Sequence, residues 1–149
     1  MKTKVNEIAI SYSGSLKPNA LPKISCSKSA ADLAFTQWDK NHMELHETFK
    51  IMLLSNANRV KGIYEISSGG ITGTLVDIRI LFAVLLKSLT TAVILLHNHP
   101  SGTLRPSEAD KRLTTKIKAA GELLDIKILD HLILTPDGEY YSFADNGML

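Results

Sequence analysis

Two histidines and an aspartate lie close together in one segment of the chain and could bind a metal ion. His97 and His99 follow an apolar run, residues 92–96, whose length and composition predict a strand buried on both faces. Residues two apart in a strand project from the same face, and Asp110 can return from the first turn of the next helix. Two imidazoles and one carboxylate leave one tetrahedral position for water, which distinguishes catalytic zinc from structural zinc. The sequence therefore predicts that His97, His99 and Asp110 bind zinc (Zn2+). Surface or hydrogen-bonded core histidines at the end of a strand are the alternative.

A hydrolytic metal site also needs a group that takes up a proton, and a nearby carboxylate can do this. The candidates that precede the histidines are Glu44, Glu47 and Glu65. Glu47 is the best placed of them because it lies at the start of a predicted strand, residues 48–54. An ordinary solvated glutamate at this position is nearly as compatible with the spacing.

Ser107 has two compatible interpretations. A serine followed three residues later by an acid, ahead of an apolar-periodic run, is typical of a helix capping box. Taken alone, Ser107 is therefore more simply a helix cap than a catalytic residue. A capped helix start can nevertheless direct Asp110 toward a metal ion.

The three other histidines are interpreted more simply. His131 lies in a predicted strand, where a hydrogen-bonded structural histidine is the favoured interpretation and support of a metal ligand is the alternative. His42 and His46 belong to no motif and are expected at the surface.

Helices and strands interleave from about residue 45 onward. Residues 77–89 carry apolar side chains at helical spacing, and a second helix is predicted to begin at Pro106 and Ser107. Strands are predicted over residues 48–54, 62–66, 92–96, 124–134 and 139–143. Such interleaving favours a mixed α/β layer architecture.

The first 43 residues have a different sequence pattern from the rest and are predicted to be an extension of a core domain at residues 44–149. Val5, Ile8, Ile10 and Tyr12 lie in a roughly alternating run that predicts a first strand. A loop containing Gly and Pro follows, and then a helix that Ser29 would cap.

Composition limits the class of protein. The chain has 149 residues, of which 44% are hydrophobic, enough for one core without disulfides. Its one cysteine, Cys26, cannot form an internal disulfide or a zinc site of several thiolates. Charged residues interrupt the most apolar window, residues 75–96, so a membrane span is not expected. With a net charge of +2 and no apparent secretion signal, a cytoplasmic protein with no membrane partner is the default expectation.

The segment around the histidines resembles a known metal-binding motif. His-x-His-Pro-Ser-Gly-x-x-x-Pro-Ser-x-x-Asp, with an upstream Glu-x-Phe, is similar to the JAMM motif of the MPN/JAB metalloprotease superfamily. The sequence His-Asn-His-Pro-Ser-Gly most resembles the motif of the bacterial RadC-like branch of this superfamily. The resemblance extends from about residue 44 to the C-terminus. It implies a β-sheet sandwiched by helices, of the kind shared with cytidine deaminases.

The same resemblance implies a role for each matching residue. His97, His99 and Asp110 would bind zinc. Glu47 would be the general base, and Ser107 would stabilise the oxyanion by a hydrogen bond. The implied reaction is hydrolysis of an amide or isopeptide bond in a peptide substrate, often at ubiquitin-like modifiers in relatives.

A second function class is an accessory protein of DNA repair or mobile-element metabolism. It would have DNA-associated protein partners and a structural or vestigial metal site. RadC-like proteins often carry a helix-hairpin-helix segment before this domain, and the first 45 residues lack its paired Gly-x-Gly hairpins. Four basic residues of the second predicted helix could contact phosphate, although a solvated helix face is the simpler interpretation: Lys111, Arg112, Lys116 and Lys118.

A third alternative is a 2-His-1-carboxylate iron oxygenase, in which the general base would have no role. Substrate specificity is expected to come from residues 69–74 and 103–105. The sequence indicates neither the substrate nor the oligomeric state.

Overall fold

Five strands form one mixed sheet with helices on both faces. The computed structural model describes residues 1–9, 11–70 and 74–149. Its elements are α1 (Ser27–Thr36), α2 (Lys40–Met43), β1 (Thr48–Leu54), β2 (Val60–Ser68), α3 (Ile78–Lys87), β3 (Ala92–Asn98), α4 (Glu108–Leu123), β4 (Lys127–Leu134) and β5 (Tyr140–Ser142). The strand order is β2-β1-β3-β4-β5, with β3 and β4 parallel and the other neighbours antiparallel. The predicted α/β fold, a mixed sheet between helices, is confirmed.

Alternating side chains of the central strands build two cores. On β3, Ile94 and Leu96 face the core that α1 covers, whereas Val93 and Leu95 face the core that α3 and α4 cover. All seven residues of β3 are buried, as expected of a strand covered on both faces. His97 continues the second set by its position in the strand, so it lies on the α4 side of the sheet.

The predicted strands and helices of residues 48–143 are confirmed, with shifts of a few residues at their ends. Helix α3 begins after Asp77, whose side chain accepts a hydrogen bond from the Arg79 N–H and caps the helix. The return strand β2 is longer than the predicted 62–66 because its ladder with β1 continues to Ser68. In the part of the chain that the structure describes, every helix is too short or too polar to span a bilayer.

The predicted first strand is wrong for the residues that the structure describes. Val5 and Ile8 are each 87% exposed, and the described residues around them have no regular structure. An alternating run forms a stable strand only when a sheet pairs with it, and the described residues of this run pair with neither edge strand, β2 or β5. Ile10 lies outside the described residues.

Helix α1 starts earlier than predicted. Cys26 is its N-cap, and Ser29 is instead the third helical residue, whose Oγ accepts a hydrogen bond from the Cys26 N–H. The helix packs on the sheet through its small side chains, Ala30, Ala31 and Ala34. The division into an extension and a core domain at residues 43/44 stays a prediction, while α1 shares a core with the central strands.

Candidate metal centre

The two predicted ligand histidines converge at the carboxyl end of β3. His97 and His99 are only 2% and 8% exposed, and their Nε2 atoms lie 3.0 Å apart. The His99 N–H donates to the Leu134 carbonyl of β4 at 2.9 Å, which holds the chain beside the sheet after β3 ends. Gly102 then turns the chain away at φ +82°, a backbone conformation that favours glycine. The carboxyl ends of two parallel strands therefore frame the site, a common place for ligands in α/β folds.

Asp110 reaches the same point from the first turn of α4. The Ser107 Oγ accepts a hydrogen bond from the Asp110 N–H at 3.0 Å, and the Ser107 N–H donates to Asp110 Oδ2 at 2.8 Å. The predicted capping box is therefore confirmed. The carboxylate fixed in this way places Oδ1 3.4 Å from His97 Nε2, and Oδ2 3.4 Å from His99 Nε2.

Glu47 arrives from the opposite side because β1 runs antiparallel to β3. Phe49 pairs with His97, so the residue that precedes β1 lies beside the end of β3. Glu47 Oε1 is 3.5 Å from His99 Nε2. The Glu47 N–H donates to the Gly70 carbonyl at 3.1 Å, and its carbonyl accepts from the Gly69 N–H at 2.8 Å. Two backbone hydrogen bonds to the Gly69–Gly70 segment thus hold the main chain of Glu47 in place.

Asn98 is a site residue that the sequence reasoning missed. It lies between the two histidines, fully buried, and its amide joins β3 to the segment that carries Glu47. Oδ1 accepts from the Thr48 N–H at 2.8 Å, and Nδ2 donates to the carbonyls of Met43 at 2.8 Å and His46 at 3.1 Å. The sequence signal for Asn98 was its amide at the end of a buried strand, because a buried amide needs hydrogen-bond partners.

His131 contacts the His97 ring directly, which the favoured interpretation as a structural histidine did not predict. Its Nε2 lies 2.7 Å from His97 Nδ1, and its Nδ1 lies 2.6 Å from Thr114 Oγ1. The alternative, support of a metal ligand, is the one that this geometry favours. Of the remaining histidines, His42 is exposed as expected, whereas His46 is partly buried.

The two carboxylates of the site differ in their affinity for a proton. Burial alone would raise the pKa of Asp110, but its contacts with the His97 and His99 rings outweigh this and hold that pKa well below its usual range. Burial raises the pKa of Glu47, and the two histidines offset this only in part. Near neutral pH, Asp110 is therefore a fixed anion, while Glu47 takes up a proton more readily. Burial opposes a charge on His99, but Asp110 and the Thr103 carbonyl outweigh it and raise the His99 pKa.

These side chains fit a divalent metal ion. Glu47, His97 and His99 each offer one ligand atom within 4.8 Å of the others, and Asp110 contacts both imidazoles. The contacts of 3.0–3.5 Å between these atoms are close to the roughly 3.3 Å that separates tetrahedral zinc ligands. His99 Nδ1 donates to the Thr103 carbonyl at 2.6 Å, which directs its Nε2 to the site. Imidazole and carboxylate donors suit several first-row divalent metals, zinc among them.

A cavity of about 550 Å³ opens in front of the site. Glu44 lines it together with Glu47, whereas Glu65 lies in a separate groove beside Lys50. Both loops that were expected to control specificity reach the cavity, through Thr74, Thr103 and Arg105. Residues 71–73 of the first loop lie outside the described residues. The opening is large enough for a peptide side chain and its neighbouring amide groups.

Comparison with known proteins gives a consistent set of relatives. The family model for the RadC-like JAB domain matches residues 22–148. A UPF0758 protein of Flavobacterium johnsoniae is 51% identical over 129 residues, which are 86% of this chain and 54% of that protein. A UPF0758 protein of Porphyromonas gingivalis is 42% identical over 69% of this chain and 45% of its own length. The corresponding values for Pelobacter propionicus are 40%, 75% and 50%. The chain thus spans about half the length of the curated relatives it matches.

Proposed function

This chain belongs to the RadC-like JAB domain family, and from that premise we propose that it is a metal-dependent hydrolase of an amide or isopeptide bond. One observation carries the proposal. Two buried imidazole Nε2 atoms and two carboxylates of different proton affinity meet at an open cavity. A structural metal site is closed by protein ligands, whereas this group leaves room for a substrate. Because the chain covers only 54% of its Flavobacterium relative, the substrate and partners of a longer protein belong to the proposal as well.

His97, His99 and Asp110 are the proposed ligands of a zinc ion. A bound zinc ion would supply a Lewis acid that makes water nucleophilic near neutral pH. Asp110 suits the role of ligand better than Glu47 does, because its low pKa keeps it ionised. Its Oδ2 also accepts the Ser107 N–H, which holds the carboxylate at the start of α4.

Glu47 is the proposed general base. Its carboxylate lines the cavity and its pKa is raised by burial, so it can take a proton from the attacking water and pass it to the leaving amine. The hydrogen bonds of its backbone to Gly69 and Gly70 fix its position without a contribution from a metal ion. This arrangement allows the side chain to carry the proton without leaving the site.

Ser107 is the proposed donor to the oxyanion. Its Oγ accepts the Asp110 N–H, and this cap leaves the hydroxyl hydrogen available for another acceptor. Because Ser107 lines the cavity, its hydroxyl can donate to the carbonyl oxygen of a substrate as negative charge develops there. Capping and catalysis therefore use different parts of the same hydroxyl group.

The metal content of the purified protein tests this proposal first. We expect one zinc ion per chain after exposure to zinc and dialysis, and its loss in His97→Ala, which removes a buried ligand. His42→Ala is the matched control, because His42 is an exposed histidine outside the cavity. Elemental analysis measures both variants. A wild-type protein that retains no divalent metal, or a His97→Ala variant that retains the full amount, would contradict the assignment.

Association with DNA is the alternative, and the surface supports it less. Of the four basic residues that α4 offers, Lys111 already pairs with Glu108 at 3.0 Å. A titration of DNA at increasing salt separates the two functions, because phosphate contacts weaken steeply with salt. The proposed hydrolase needs no such binding.

A further inference from the structure

A chain of buried hydrogen bonds runs from α4 through β4 to a proposed metal ligand. Thr114 Oγ1 lies 2.7 Å from the Asp110 carbonyl oxygen and 2.6 Å from His131 Nδ1. His131 Nε2 in turn lies 2.7 Å from His97 Nδ1. Thr114, His131 and His97 are 3%, 0% and 2% exposed, so water does not compete for these bonds.

The Asp110 carbonyl determines the direction of both bonds at Thr114, and a neutral His131 ring then determines the third. A carbonyl oxygen only accepts, so the one hydroxyl hydrogen of Thr114 is donated to it. Thr114 Oγ1 must then accept from His131 Nδ1, which therefore carries a hydrogen. In a neutral ring the other nitrogen has a lone pair, so His131 Nε2 accepts from His97 Nδ1. His97 consequently carries its hydrogen on Nδ1, and its Nε2 lone pair faces the site.

We propose that Thr114 and His131 are positioning residues that hold His97 in the tautomer whose Nε2 lone pair is free to bind a metal ion. The purpose of this arrangement rests on the proposed function, whereas the tautomer itself does not. The chain also ties two proposed ligands together, because Asp110 and Thr114 lie one turn apart on α4. A shift of the helix would move the Asp110 carboxylate and the partner of His97 at the same time.

A role in packing alone does not account for His131. Its ring stacks on Phe143 with centroids 4.5 Å apart and meets the edge of Phe49 at 5.7 Å, contacts that another aromatic ring could also make. Burying an imidazole in such surroundings is unfavourable unless both nitrogens have partners. His131 is fully buried, and its two nitrogens meet a hydroxyl and an imidazole and no carboxylate, so a neutral ring that donates at one nitrogen and accepts at the other fits its surroundings.

Histidine nitrogen NMR of the metal-free chain of 149 residues at pH 8 tests the proposal directly. The ¹⁵N shifts of a neutral imidazole distinguish its two tautomers. We expect both His97 and His131 to carry the hydrogen on Nδ1 in the wild-type protein. A His97 ring with its hydrogen on Nε2 would overturn the proposal, whatever the variants do.

Thr114→Val removes the hydroxyl with little change in shape. His131 can then donate from Nε2 to His97 Nδ1, so we expect the His97 hydrogen to move to Nε2. We expect zinc affinity to fall about ten- to a hundredfold. Thr114→Ser should restore both properties. His99 is an internal control, because its Nδ1 bonds to the Thr103 carbonyl instead.

Thr115→Val is the matched control for the helix. Thr115 Oγ1 donates to the Lys111 carbonyl at 3.0 Å in the same way, but it is exposed and has no histidine partner. We expect it to change neither the tautomers nor the zinc affinity. If Thr114→Val keeps the wild-type tautomer and affinity, the proposal is wrong. If the wild-type protein binds no zinc but shows the expected tautomers, the proposed function fails while the positioning of His97 stands.

Discussion

At the scale of single residues, Glu47 and Glu44 offer a matched test of the general base, because both carboxylates line the same cavity. Once a substrate is found, we expect Glu47→Gln to lower the turnover number by roughly 10²–10⁴-fold. Zinc should stay bound, since His97, His99 and Asp110 remain. Steady-state kinetics with parallel elemental analysis measures both properties.

Glu44→Gln provides the control for that comparison. Glu44 is exposed and makes none of the described contacts with His97 or His99, so its loss should change turnover little. Full activity of Glu47→Gln on a substrate that the wild-type protein cleaves would remove Glu47 from the role of base. Loss of zinc in that variant would make Glu47 a ligand instead.

The residues that converge in the candidate site were predictable from sequence, but the residues that contact them from neighbouring elements were not. His97, His99, Asp110 and Glu47 stand in a recognisable pattern along the chain, and the fold brings them together. The contact of His131 with His97 depends on the register of β4 against β3, in which His131 pairs with Leu95. No local pattern fixes the register of two parallel strands that a helix separates, because the crossover length does not determine it.

At the scale of secondary-structure elements, the amide of Asn98 is expected to hold the segment between α2 and β1 against β3. Asn98→Asp keeps an acceptor for the Thr48 N–H but loses both hydrogens that bond to the Met43 and His46 carbonyls. We expect the free energy of unfolding to fall by about 3 kcal/mol, because two buried carbonyls lose their donor. Denaturant unfolding measures this change.

The same variant should separate zinc binding from hydrolysis. The proposed ligands come from β3, the loop after it and α4, whereas turnover also needs Glu47 in place. We therefore expect zinc affinity to fall by a smaller factor than the turnover number. Asn41→Asp is the control, because it introduces the same negative charge at an exposed position. Unchanged stability of Asn98→Asp would show that the amide does not hold the two segments together.

The strands and helices around the site were predictable because one physical signal dominates each of them. Uninterrupted apolar sequence marks β3, and helical spacing marks α3 and α4. The strand predicted from the alternation of Val5, Ile8 and Tyr12 is not formed by the described residues. Alternation alone does not determine whether a segment pairs with a sheet. Ser29 was misplaced as a cap because its hydroxyl bonds back to the Cys26 N–H from within the helix.

At the scale of the whole molecule, shortened chains test how much of the N-terminal region the core needs. Among the described residues, a chain that begins at residue 17 loses exposed side chains and one contact of Lys61 Nζ with the Tyr12 ring at 4.5 Å. We expect its stability to change by less than about 1 kcal/mol. Thermal unfolding followed by circular dichroism measures this difference.

A chain that begins at residue 44 should behave differently. It loses α1 and uncovers the apolar face formed by Met52, Leu54, Ile94 and Leu96. We expect it to aggregate or to unfold without a cooperative transition, because that face would be exposed to water. Cooperative unfolding at the wild-type temperature would instead support the predicted division of the chain at residues 43/44.

The order of the elements along the chain also has a consequence for biosynthesis. Glu47, His97 and His99 leave the ribosome before α4, and His131 follows later still, on β4. The proposed ligand set is therefore complete only once α4 has been translated, and the contact between His131 and His97 forms only when β4 pairs with β3. On the proposed function, high-affinity metal binding is accordingly a property of the completed chain, acquired late in folding.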